Sequence, residues 1–213
     1  MADTKISALT DGGSSRNTDY VPAVRSGANV KVTVGPSDYQ PPIVTGNYYS
    51  GQGTVPSGAT NWISDTIVSV PMWFSFSETW TRIGVNVTTD EPGANIRLGI
   101  WENGADNQPA GLILDTGNLS LSSIGDVSAT ISQMLAGNTV YWVGAVSDTN
   151  GTAVLVSSYF TGEMAARLGH SSGFADGITG GVRKGIAFGA LPNPFGAPDG
   201  YTDSGPLIWL RRV

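Results

Sequence analysis

The chain contains no cysteine among its 213 residues. Disulfides and thiolate chemistry are therefore excluded, and cysteine usage reveals no redox compartment. It has a single histidine, His170, set between Gly169 and Ser171. A Ser–His–acid pairing could be drawn with any of many serines and 17 carboxylates, so it discriminates nothing, and His170 reads as a surface loop residue. Charge is scarce: 13% of residues are charged, about half the usual share. The surface must therefore be rich in Ser, Thr, Asn and Gly. A basic excess is missing too. The net charge of −6 argues against a nucleic-acid partner bound by phosphate neutralisation. No stretch approaches the roughly 18 apolar residues of a membrane span, so no membrane partner is expected. The N-terminus has no signal-peptide apolar core. There is no heptad pattern for a coiled coil, no glycine-rich phosphate loop and no metal-ligand pair at helical spacing. No catalytic residue, metal or cofactor is expected.

What is abundant is turn chemistry and apolar alternation. The chain has 29 glycines and 12 prolines, with 40% hydrophobic residues, enough for a core. The first 34 residues carry three short alternating pieces, Lys5 to Leu9, Tyr20 to Val24 and Val30 to Val34, joined by polar links. Each has the length of one short strand, and three such strands cannot bury enough apolar surface to stand alone. Residues 1–35 thus read as an arm that something else completes. Its partner-binding candidates are Lys5, Ile6, Leu9, Tyr20, Val21, Val24, Val30, Val32 and Val34. The arm carries Lys5, Arg16, Arg25 and Lys31 against Asp3, Asp11 and Asp19, a net +1, which leaves −7 on the remaining 178 residues.

Residues 36–58 form a Pro/Gly-rich connector. Pro36, Pro41, Pro42 and Pro56 discourage helix and central strand, while Tyr39, Tyr48 and Tyr49 imply that part of it packs on a surface. Residues 59–168 give strand signals at short intervals. They are Ile63 to Val70, Met72 to Ser77 (with an edge or bend at Pro71), Ile83 to Val87, Ile96 to Ile100, Leu112 to Asp115, Val127 to Ile131, Val140 to Val146 and Val154 to Phe160. Eight strands so spaced predict an all-β fold, an antiparallel jelly-roll-like β-sandwich. Asn150-Gly151 between two of these strands predicts a hairpin turn over 148–151 rather than a calcium loop. One helical turn is expected at Ser132 to Ala136, and one or two at Glu163 to Leu168. Residues 169–213 read as a long irregular segment that ends in a last strand rejoining the body.

Two features invite a site. Glu102, beside Trp101 at a strand end, is the best single candidate acid, yet a glycosidase needs a second carboxylate across a cleft; a loop-mouth charge is the simpler reading. Of the six tryptophans, Trp73 and Trp142 sit in apolar runs. Trp62, Trp80 and Trp101 stand at strand ends and are the candidate glycan-binding platforms.

Met1-Ala-Asp-Thr-Lys-Ile-Ser-Ala-Leu9, Thr18-Asp-Tyr-Val-Pro-Ala-Val24, Gly27 and Lys31-Val-Thr-Val34 resemble the N-terminal segment of tailed-bacteriophage virion proteins. Ile96 to Trp101, Gln108 to Asp115 and Leu135 to Trp142 resemble a jelly-roll module of phage structural proteins, a pattern that bacterial glycan-binding sandwiches share. The resemblance implies attachment to a particle and transfers no catalytic residue. It leaves three readings. The first is a capsid-decoration (cement or head-fibre) protein on the virion surface, a homotrimer whose arm engages the major capsid protein. The second is a short tail fibre or adaptor, with the arm on a tail protein and the sandwich on host glycan. The third and weakest is a depolymerase-like enzyme.

Overall fold

A computed structural model of the protein describes residues 20–25, 28–33, 44–50, 54–61, 64–149, 151, 154–160, 180–202 and 204–213. The chain divides into two units, Met1–Pro42 and Ile43–Val213. In the first unit, β1 (Tyr20–Arg25) and β2 (Ala28–Thr33) pair antiparallel, with Tyr20 opposite Thr33 and Arg25 opposite Ala28. These are two of the three strands expected in the arm. The third, Lys5 to Leu9, lies outside the described residues.

The second unit is an antiparallel β-sandwich, the fold class that the alternation predicts. Sheet I holds β3 (Tyr48–Tyr49), β4 (Thr54–Asn61), β6 (Glu78–Thr89), β10 (Gly125–Leu135), β12 (Val154–Phe160), β15 (Ser204–Pro206) and β16 (Trp209–Arg211). Sheet II holds β5 (Thr66–Phe74), β7 (Asn95–Asn103), β8 (Pro109–Asp115), β9 (Leu119–Ser120), β11 (Thr139–Ser147), β13 (Gly181–Gly185) and β14 (Gly200–Thr202). Within the sandwich only β7–β8 and β13–β14 pair as successive described strands; elsewhere neighbours in a sheet come from distant parts of the chain. Such alternation between sheets is jelly-roll-like.

Strand period two dictates the core. Val68, Val70, Met72 and Phe74 of β5, Ile96, Leu98 and Ile100 of β7, and Val143 and Ala145 of β11 meet Trp80, Ile83, Val85 and Val87 of β6 and Leu210 of β16 between the sheets. Sheet II buries its other face as well. Ile67, Trp101, Trp142, Val146 and Val182 pack there under Leu191 and Phe195, from the segment 186–198. That segment is pinned by polar bonds. Trp101 Nε1 donates to Pro192 O at 3.1 Å, Phe195 N to Ala110 O at 2.9 Å, Leu112 N to Asn193 Oδ1 at 3.1 Å, and Leu191 N to Asp115 Oδ2 at 3.1 Å. Gly99 makes the close approach feasible: a Cβ there would stand 2.5 Å from Leu191 Cδ1 and 2.6 Å from the Trp101 ring.

Four expectations are corrected. Ser132 to Leu135 continue strand β10 instead of turning helically, because edge pairing to β6 resumes at Gln133 after a register shift. The 148–151 turn is not a hairpin: β11 and β12 lie in different sheets, so the chain crosses the sandwich there. Asp148 anchors the crossing by accepting from the backbone N and side-chain Nδ2 of Asn95. The segment after Gly169 is less irregular than its composition suggests, since β13, β14 and β15 arise within it. The connector, finally, already contributes β3 and most of β4. Pro56 is tolerated because β4 pairs only β12 among the described strands. Pro71 sits inside continuous β5, beyond Ser69, the last β5 residue opposite β13, so the edge reading explains it and a bend does not. The last strand rejoins the body as expected: β16 pairs β6 and β3. Among the described residues there is no helix; Glu163 to Leu168 lie outside them.

Candidate functional site

The arm candidates Tyr20, Val21, Val24, Val30 and Val32 all fall on the β1–β2 ribbon. Val21 stands opposite Val32, and Ala23 opposite Val30. The ribbon pairs with no other described strand. An isolated two-stranded ribbon is marginal in water. Lys5, Ile6, Leu9 and Val34 lie outside the described residues.

Two of the three candidate glycan platforms do not survive. Trp80 and Trp101 are 0% exposed. Trp80 points between the sheets against Phe74 and Tyr49. Trp101 points the other way, but segment 186–198 covers it, with Phe195 set edge-on at 5.3 Å. Neither offers a ring face to a sugar; the physical reason is that strand-end position does not predict which face of a sheet gains a cover. Trp62 lies outside the described residues, as does His170. Trp142 is core, as its apolar run implies, and Trp73 is half-buried.

Glu102 is exposed at the rim of a cleft of about 470 Å³ lined also by Asn103, Asn138, Thr139, Val140 and Tyr141. No second carboxylate lines it, so the two-carboxylate geometry of glycoside hydrolysis is not assembled there. Among the described residues no three His, Asp or Glu side chains gather to hold a metal.

A different cluster forms on the outer face of sheet I. Three strands bring it together in register: Tyr48 of β3 stands opposite Arg211 of β16, and Arg211 opposite Arg82 of β6. On the far side of β6, Arg82 faces Thr130 of β10. One rung away, Trp209 lies across Gly84, where a Cβ would stand 2.4 Å from the indole and 2.5 Å from Val127 O. Glycine at 84 is thus what lets the indole lie flat on the sheet. Tyr48 meets Trp209 edge-on at 4.7 Å, and the Arg211 guanidinium sits 4.9 Å from the Tyr48 ring centre, a cation–π contact.

Polar bonds fix this layer. The Tyr48 hydroxyl donates to Asp126 Oδ2 at 2.8 Å, and Asn86 Nδ2 donates to Asp126 Oδ1 at 2.9 Å. Arg211 Nη1 donates to the Tyr48 hydroxyl at 3.3 Å. The bond to Asp126, helped by desolvation and the carboxylate charge, raises the Tyr48 pKa against the opposing pull of Arg211 and Arg82. The phenol therefore stays a donor through neutral pH. Tyr48 remains 49% exposed. Sequence reasoning places Tyr48 and Tyr49 on a surface but misses the cluster, because its members lie up to 163 positions apart and only sheet register unites them.

Set against known proteins, the sequence matches no family model and no curated protein is similar to it.

Proposed function

We propose that the protein is a non-enzymatic structural component of a tailed-bacteriophage virion that decorates and stabilises the capsid surface. It acts as an oligomer, a homotrimer, anchored through its N-terminal arm to the major capsid protein. The observation that carries this reading is the β1–β2 ribbon: a two-strand antiparallel sheet paired to no described strand of the sandwich. Such a ribbon gains most when an external sheet or surface completes it, the mode of β-strand addition. The sandwich, by contrast, has its own core. The near-neutral arm beside an acidic body supports the same division of labour.

A second reading, a short tail fibre or adaptor whose sandwich binds host-surface glycan, is favoured by the exposed aromatic and polar layer around Tyr48. Deleting residues 1–42 tests the anchor. The truncated chain is expected to fold and to lose binding to particles, and retained decoration would refute the anchor. Copies per particle then separate the two readings: hundreds support the shell, about a dozen or fewer support the tail.

A further inference from the structure

Two arginines lie side by side on the outer face of sheet I, and neither forms an ion pair with a described residue. Arg82 and Arg211 are directly opposed across β6 and β16, a placement in which like charges repel. The ion pairs among the described residues are Arg97–Asp115 and Arg212–Glu78; neither Arg82 nor Arg211 belongs to one. Arg82 reaches only Ser128 Oγ, at 3.5 Å. The Arg211 guanidinium meets only neutral groups of Tyr48 among its described contacts, the hydroxyl at 3.3 Å and the ring face at 4.9 Å. The Asp126 carboxylate of the same cluster is engaged by the neutral donors Tyr48 and Asn86 instead.

We infer that this face binds a carboxylate-bearing saccharide, its carboxylate received by Arg82 and Arg211. Guanidinium pairs suit planar, bidentate carboxylates. Asp126 beside them disfavours a dianion such as phosphate, while its free lone pairs, with Thr130, accept or exchange hydrogen bonds with hydroxyls. The exposed flank of Tyr48 supplies the apolar contact that sugar C–H groups need. A ligand with one negative charge, several hydroxyls and an apolar edge fits; a dense polyanion does not, since the body is net negative. The inference deepens the glycan-binding reading by naming the ligand class, and it is independent of where the arm attaches.

Titration calorimetry of the full-length protein tests it with methyl α-galacturonoside and sialyllactose, each carrying one carboxylate, as probes, their neutral counterparts (the methyl ester and lactose), and inorganic sulfate. The expected result is binding of at least one acidic saccharide, none of the neutral ones, and a loss of about tenfold or more in Arg82→Gln and in Arg211→Gln. Arg82→Lys, which keeps the charge and loses the fork, is expected to retain part of the affinity with an unchanged circular dichroism spectrum. Failure of both acidic probes, equal binding of the neutral ones, or full displacement by equimolar sulfate (an anion site only) would each overturn the inference. Any of these would leave the particle-binding result of the arm deletion untouched, so the two failures are distinguishable.

Discussion

Replacing Phe195 by Ala probes whether segment 186–198 is part of the fold or a loose flap. The ring is fully buried, edge-on to Trp101 at 5.3 Å, with Lys184 Nζ 5.8 Å from its centre. Truncating a buried phenylalanine costs about 3–5 kcal/mol, from lost transfer energy and the cavity left behind. For a domain of this size each kcal/mol shifts Tm by about 2–4 °C, so a drop of about 6–20 °C is expected. Urea unfolding followed by tryptophan fluorescence measures the loss directly, because Trp101 and Trp142 lie beneath the segment. Ile124→Ser, at a site 67% exposed, serves as the control and should change stability by less than about 0.5 kcal/mol. A Phe195→Ala loss below about 1 kcal/mol would refute the view that this segment closes a second core. A reduced m-value would show instead that it opens separately from the sandwich.

Gly84→Ala should destabilise by about 1–3 kcal/mol through overpacking, since the new methyl meets both the Trp209 indole and the Val127 carbonyl; an unchanged urea midpoint would contradict that geometry. Asp115 is held below its usual carboxylate range. Desolvation raises its pKa, but bonds from Arg97, Gly117 N and Leu191 N, with the Arg97 charge, outweigh it. A carboxyl depressed on folding contributes stability above its unfolded value of 3.8 and loses it as pH falls toward the folded value. Asp115→Asn should therefore cost about 1.5–3 kcal/mol near neutrality and flatten the acid limb of stability against pH. An acid limb parallel to that of the parent protein would sink this assignment. Tyr48→Phe should leave the fold intact while releasing Asp126, visible as a carboxyl shift by NMR; an unmoved Asp126 signal would contradict the bond.

Much of the sandwich is legible in sequence because β6 and β7 alternate against a buried face, and period two is a strong signal. The bounds of Val154 to Phe160 are those of strand β12. The tryptophans show where this fails: Trp101 alternates outward from the main core, so pattern alone marks it exposed, and only a segment about 90 residues later buries it. The turn at 148–151 has the right residues for a hairpin, yet turn chemistry does not say whether the chain stays in its sheet. The Tyr48 cluster leaves no local mark. Its arginines look like ordinary polar strand positions until β3, β16 and β6 are aligned.

The pairing of β3 with β16 brings Tyr48 beside Arg211. On the ribosome, residues near 48 emerge long before their strand partner exists, and β6 likewise waits for β16. The β3–β16–β6 seam of sheet I can therefore close only after Trp209–Arg211 have been synthesised, with the slow search that such distant contacts impose. The layer around Tyr48 inherits this timing: chains terminated before β16 would lack it whatever else they fold.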